Sequence, residues 1–205
     1  MDSWGDIGVG SMIIFIAALL VAGVTANVLI QTMNSLQQQA LQTGQETQRQ
    51  VSSGVQVTHV SGYVVNSEIT QLAIFISPSA ASEDINLTTT YVSLSNSSKM
   101  VILNYTSTCY SSTVSNGLFD TINASNLTAS SFGLIVIRDA DSSCRADSPT
   151  INERDLVVII VNTTDCFSGI EPRKVISGNV HPEYGMSGVI SFVTPAAYVD
   201  TIVDL

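Results

Sequence analysis

Ile7-Gly8-Val9-Gly10-Ser11-Met12-Ile13-Ile14-Phe15-Ile16-Ala17-Ala18-Leu19-Leu20-Val21-Ala22-Gly23-Val24 is apolar almost throughout and lies near the start of this 205-residue chain. No charged side chain occurs from Ile7 to Gln45. Such a segment cannot stand alone in water; it needs lipid or other protein around it. From Ile7 to Ile30 there is neither charge nor proline, and about 20 residues of helix suffice to cross a bilayer core. Beyond Ile30 the apolar positions thin to a stripe through Met33, Leu36, Ala40, Leu41, Gly44 and Val51. Their spacing of three and four is helical. Gln37, Gln38, Gln39, Gln42, Gln45 and Gln50 fill the opposite face. One continuous helix is expected from about residue 7 to about 53, ended by Ser52-Ser53-Gly54 with Gly54 as its C-cap.

At Val55 the period changes to two, with Val55, Val57 and His59 alternating against Gln56, Thr58 and Val60. Further strands are expected at 69–77, 88–94, 100–106, 132–138, 155–161, 173–177 and 188–194, separated by stretches rich in Ser, Asn, Gly and Pro. The predicted class is α+β. Residues 1–54 form a long hydrophobic to amphipathic helix, and residues 55–205 an antiparallel β-sandwich head of immunoglobulin-like kind. No second helix is signalled. The Cys-Trp-Cys spacing of true immunoglobulins is missing, since the one tryptophan is Trp4.

Seventeen acidic residues against seven basic ones give a net charge of −10. That excludes nucleic acid as a partner, because no basic patch exists to neutralise phosphates. Only 12% of residues are charged while Ser, Thr and Asn abound, as on an extracellular surface. Cys109, Cys144 and Cys166 all lie in the head, without CxxC spacing. One disulfide plus a leftover thiol is expected of an exported domain, with all three pairings open; three buried unpaired cysteines are the alternative. Asn86, Asn96, Asn104, Asn123, Asn126 and Asn162 each begin an Asn-x-Ser/Thr sequon, all in the head. Asp139, Asp141 and Asp147 share one loop. No cofactor is expected; a structural calcium here is the one candidate, since hard cations take oxygen ligands. The loop lacks the turn glycine and terminal glutamate of a helix-loop-helix calcium motif, so a solvated acidic loop is preferred. His59 and His181 have no evident partner set, and neither a Gly-x-Ser-x-Gly elbow nor a phosphate loop is present. Enzymatic function is not expected.

The stretch Ile7 to Ala17 resembles the start of mature archaellins, the archaeal flagellins, which open with a Gly-x-Gly-x-Leu-Ile-x-Phe-Ile-Ala core. Asn27-Val28-Leu29-Ile30, Leu36-Gln37-Gln38-Gln39-Ala40, Thr43-Gly44-Gln45-Glu46-Thr47 and Val51-Ser52-Ser53-Gly54-Val55-Gln56-Val57 are similar to that family in order and spacing. The likeness covers about the first 60 residues; the rest matches in kind, as a β-rich, glycosylated head. The resemblance implies a precursor held in the cytoplasmic membrane and trimmed by a signal peptidase. Its helices then bundle, with copies or close paralogues, into the core of an extracellular filament that an ATP-driven motor rotates. Family precursors carry a basic leader ending in Lys or Arg plus Gly. Met1-Asp2-Ser3-Trp4-Gly5 has no basic residue. Cleavage is expected between Gly5 and Asp6, or else Met1 is the mature start, and then Asp2 and Asp6 need partners in the core. Ile13, Ile14, Phe15, Ile16, Leu19, Leu20, Val21, Val24, Leu29 and Ile30 are the expected core contacts. Two other readings share some features: an adhesive type IV pilin, and a single-pass anchored ectodomain. The amphipathic continuation at 31–53 and the small residues of the apolar stretch weigh against the ectodomain.

Overall fold

A computed structural model describes residues 3–80 and 82–205, with side chains of the N-terminal helix from Gly8 onward. The possible partners of Asp2 and of the Asp6 side chain therefore lie outside the described residues. The chain divides into two compact units, Met1–Thr47 and Gln48–Leu205.

The first unit is helix α1, which runs unbroken over Ser3–Ser52 for 50 residues and whose last turn belongs to the second unit. At 1.5 Å per residue it is about 75 Å long. The expected cap at Gly54 is not made: Gly54 lacks left-handed backbone and instead bridges Met186. A Cβ on Gly54 would stand 3.0 Å from Cβ of Met186. This glycine is needed for a close approach of two backbones rather than for a turn.

The second unit contains strands β1 (Val55–Val65), β2 (Glu68–Pro78), β3 (Ile85–Asn86), β4 (Tyr91–Ser95), β5 (Met100–Ser111), β6 (Ser131–Arg138), β7 (Thr150–Ile151), β8 (Leu156–Asn162), β9 (Val175–His181), β10 (Gly188–Val193) and β11 (Ile202–Asp204). A short helix, α2, covers Thr163–Phe167. Nine strands form one sheet in the order β10-β9-β4-β5-β6-β8-β2-β1-β11, and β3 pairs with β7 apart from it. β5 and β6 run parallel; the other neighbours are antiparallel.

This corrects the expected immunoglobulin-like antiparallel sandwich. The central strands β2, β6 and β8 are apolar on both faces, but among the described residues no second large sheet covers them. On one face, Leu72, Ile74, Leu134, Ile159 and Val161 join the main core, into which the curved sheet folds. The start of β1 meets the chain entering β10: Val55 N–H donates to the Met186 carbonyl at 3.0 Å, and Met186 N–H to Ser53 at 2.9 Å. The head is thus a half-barrel. On the other face, Ala73, Ile135, Val158 and Ile160 are covered by Phe119, Ile122 and Leu127. Those three come from the connection 112–130 between the parallel strands, a link too long to be a hairpin.

The expected disulfide is absent: Cys109, Cys144 and Cys166 are free and buried. Cys109 packs in the layer beneath the 112–130 connection, whereas Cys144 and Cys166 belong to the main core. Cys144 sits in the loop after β6 and Cys166 on α2, so the cysteines are held by separate elements. Burial, with Asp139 and Asp155 nearby, pushes the Cys144 thiol up to about 12. Burial likewise lifts Cys166 to about 11, against the opposing pull of Lys99.

Native protein at pH 8 is therefore expected to leave all three thiols unreactive to a maleimide, and guanidinium to expose three. Recovery of a species 2 Da lighter before reduction, by roughly the mass of two hydrogens, would show a disulfide instead. The thiols also set an alkaline limit. An unfolded thiol ionises near pH 9 and the buried ones only near 12 and 11. Above pH 9 the unfolded state therefore holds fewer protons, and folding stability is expected to fall as pH rises from 9 toward 12. Chemical denaturation across that range measures it.

Candidate assembly site

The large apolar side chains of α1 from Val9 to Val51 are all exposed, from 52% at Val28 to 74% at Val51. They include each of the ten expected core contacts, Ile13 through Ile30. From Gly8 to Ser52 the helix is long and apolar enough to cross a membrane. Four of its hydroxyls bond carbonyls of the helix itself. Ser11 donates to the Gly8 carbonyl at 2.9 Å, Thr25 to Val21 at 2.7 Å, Thr32 to Leu29 at 2.9 Å and Thr47 to Thr43 at 2.7 Å. With these hydroxyls turned onto the backbone and no charge present, the apolar half of the surface suits lipid or other helices. Ala18, Ala22 and Ala26 fall four apart, a spacing that lets helix backbones approach closely.

The last turn of α1 is tied within the second unit. Arg49 Nε donates to Glu83 at 2.6 Å, and its guanidinium lies 5.8 Å from the Tyr184 ring centroid. A cation in the last turn also favours the helix dipole. Both partners of this pair are half exposed, which limits its contribution to about 0–1 kcal/mol.

The histidines form no catalytic group. Nε2 of His59 meets Ser61 Oγ at 2.9 Å and Asp204 Oδ1 at 3.2 Å. A Ser-His-Asp relay needs the two partners on opposite ring nitrogens. His181 stacks on Tyr91 at 4.6 Å and bonds Ser93 and Ser187.

The acidic loop is rearranged relative to expectation. Asp139 and Asp141 are joined not by Asp147 but by Asp155, with carboxylate oxygens within 4.8 Å of one another. A hard cation can bridge such a spacing, but the oxygens are already engaged by the loop itself. Asp139 accepts from Cys144 N–H at 3.1 Å, and buried Asp155 accepts from Asn152 N–H at 3.0 Å. Hydrogen bonds from Ser143 and Asn152 hold the Asp141 carboxyl below its ordinary value. Asp155 is invisible in the sequence pattern because the β6–β8 pairing, not proximity in the chain, brings it here.

Among known proteins, the family described as archaeal-type flagellin matches residues 5–192. Flagellin B2 of Methanocaldococcus jannaschii is 41% identical over 96% of this chain and 92% of its own length. The chain belongs to the archaeal flagellins. The crystal structure of archaeal flagellin FlaB1 from the same organism, at 32% identity, superposes with a TM-score of 0.68 over 75% of this chain and 96% of that one. The archaeal flagellum of Methanospirillum hungatei shares the fold across 93% of this chain and 95% of its own, with a TM-score of 0.66 at 13% identity. This archaellin is a structural, non-catalytic subunit that self-assembles into a filament for motility. Its apolar helix anchors the precursor in a membrane before export into the extracellular filament.

The six sequons of the archaellin head are not equivalent. Asn104, Asn123 and Asn126 are exposed, and Asn86 and Asn96 half-buried. Asn162 is 8% exposed and caps α2, its carbonyl accepting from Thr164 and Asp165 N–H. Its amide donates to the Ala124 carbonyl at 3.1 Å, the Leu127 carbonyl at 3.4 Å and Asp165 at 3.2 Å. Asn162, one of the six expected acceptors, is therefore placed as a buried cap. Sequence offers a single clue, the Asp165 three residues on, which places an acid in the first turn of a capped helix. Glycopeptide mass spectrometry is expected to find Asn162 unmodified. Asn162→Ala is expected to lower head stability by about 1–2 kcal/mol through the lost cap and amide bonds, read as a shift in the denaturation midpoint.

Proposed function

We propose that α1 leaves lipid to become one strand of a shared core of identical helices. A membrane signal peptidase trims the precursor, and export machinery and a motor act on the chain or its polymer. The filament stands at the archaeal cell surface as an archaellum, built of this chain alone or with close paralogues. The exposed and half-buried sequons at Asn86, Asn96, Asn104, Asn123 and Asn126 carry its sugars.

The observation supporting this reading is the charge-free, exposed and largely apolar surface from Val9 to Ile30, where Ser11 and Thr25 bond carbonyls of the helix itself. Lipid and a bundle of like helices both hide it from water. The exchange therefore changes hydrophobic free energy little, and packing of small residues decides the direction. The Gln-rich half beyond Met33 suits the zone where the core meets heads and water, with amides able to bond between subunits.

Leu20→Lys tests it. A lysine at mid-span costs about 2.5–3.5 kcal/mol per subunit in lipid, and in the core it recurs in every copy. The variant is expected to reach the membrane fraction yet yield no filaments by electron microscopy and no swimming. Normal filaments from it would refute the core assignment.

A further inference from the structure

Asn116-Gly117 is the one Asn-Gly pair in the chain, and it lies in the 112–130 connection between β5 and β6. Asn116 has φ 58° and Gly117 φ 99°, two left-handed residues in succession. Asparagine and glycine are the residues that tolerate such a turn. Both are exposed. A Cβ placed on Gly117 would meet nothing within 4 Å, so the turn stands clear of the rest of the head on that side.

The turn is held at its base and free at its tip. Thr121 Oγ1 accepts from Ser115 N–H at 3.0 Å and reaches the carbonyls of Ser115 at 2.9 Å and Gly117 at 2.7 Å. Among the described residues, neither the Asn116 carboxamide nor the Gly117 N–H has a hydrogen-bond partner. Other asparagines differ. Asn86, Asn96 and Asn123 each accept a backbone N–H on Oδ1, at 2.8, 3.2 and 3.0 Å, and Asn152 donates to Asp141 at 2.6 Å. Asn66 shares the left-handed geometry, with φ 54° and Ser67 at φ 65°, but the residue after it carries a side chain. So does the residue after every asparagine except Asn116.

We propose that Asn116 is a site of spontaneous deamidation through a cyclic imide with Gly117. The Gly117 backbone nitrogen gives its proton to water or hydroxide and attacks Cγ of Asn116. The new N–Cγ bond closes the ring, the Cγ–Nδ2 bond breaks, and Nδ2 takes up a proton and leaves as ammonia. Water then opens the ring. Attack at Cγ breaks the new bond and leaves an aspartate side chain on an unchanged backbone. Attack at the main-chain carbonyl carbon breaks the original peptide bond and leaves isoaspartate, whose backbone passes through Cγ. The sum is amide plus water giving carboxylate plus ammonium, with nothing oxidised or reduced. The structure favours each step. Gly117 has no Cβ to crowd the ring, its N–H breaks no hydrogen bond to lose a proton, and the Asn116 carboxamide is free to turn. Each event adds one negative charge to a chain already at −10. Isoaspartate also puts an extra methylene into the main chain between Ser115 and Gly117, the residues that Thr121 holds. Phe119 and Ile122, which cover the second apolar layer, follow directly.

The full-length protein, solubilised in detergent, is aged at pH 8 in heavy-oxygen water, both folded and in guanidinium. Peptide mass spectrometry follows each asparagine, and an isoaspartate-specific methyltransferase marks the rearranged product. In the folded protein Asn116 is expected to lose its amide about tenfold or more faster than Asn66, because Ser67 crowds the ring and Gly117 does not. Each event is expected to bring in one heavy oxygen, with isoaspartate among the products. The folded rate at Asn116 is expected to stay within about threefold of the unfolded rate, since the turn gives it no protection. A larger slowing on folding, a rate no faster than that of Asn66, or product without isoaspartate would overturn the proposal. Asn116→Gln keeps the amide on a longer side chain that closes the ring far more slowly. Isoelectric focusing of aged wild-type protein is expected to show a first acidic satellite band that this variant lacks; the same band in the variant would assign the reaction to another residue. Silence of the native thiols toward a maleimide reports that the variant is folded, and the wild-type rates stand without it. None of these readouts involves assembly, so they stand or fall apart from the helix-core reading.

Discussion

The whole molecule is organised by the need to keep one rod of apolar surface out of water. The ten expected core side chains between Ile13 and Ile30 stand exposed on α1. At about 1.5–3 kcal/mol each, hiding them is worth on the order of 15–30 kcal/mol. A typical domain is stable by only about 5–15 kcal/mol. No rearrangement of the head could offset leaving that surface wet. The rod must always have lipid or protein neighbours, and folding, export and assembly are constrained to pass it from one to the other.

The head answers to a separate constraint. Unit Gln48–Leu205 is large enough to stabilise itself by packing, and its buried thiols show that it does so without a staple. Central strands sealed on both faces give it two apolar layers, one inside the half-barrel and one under the 112–130 connection. Asn162 links these levels: it caps α2 and holds the carbonyls of Ala124 and Leu127, fixing the far end of that connection. A residue that reads as a sugar acceptor is a clasp between the covering segment and the sheet.

Legibility in the sequence followed the kind of constraint. The helix was readable because freedom from charge over Ile7–Gln45 has few physical meanings. The strand 155–161 was readable for the same reason, as a run buried on both faces. That run could not say what buried it: a second sheet and a crossing loop impose the same pattern. Hence the sandwich was expected and the parallel β5–β6 pair was missed. β11 and α2 were missed because three and five residues are too few to show a period. Gly54 was read as a cap because helix ends favour glycine, whereas close backbone approach to Met186 gives the same residue for another reason. Asp155 and the separation of the cysteines are products of long-range pairing, which spacing along the chain does not encode.

Charge then explains why the two units use such different surfaces. A subunit carrying −10 that stacks beside its copies accumulates repulsion with every added neighbour. Salt screens this beyond about 8–10 Å, but not across surfaces in contact. Contacts must therefore fall where ionised groups are absent or opposite in sign. The helix meets this requirement by having no charge at all from Ile7 to Gln45. In the head, acids crowd the Asp139–Asp155 loop, where backbone N–H groups hold them. An error of one charge on a contact surface is repeated in every subunit of a polymer. A helical assembly thus depends on the neutrality of its repeated contacts, and a charge-free apolar rod is an arrangement that satisfies it.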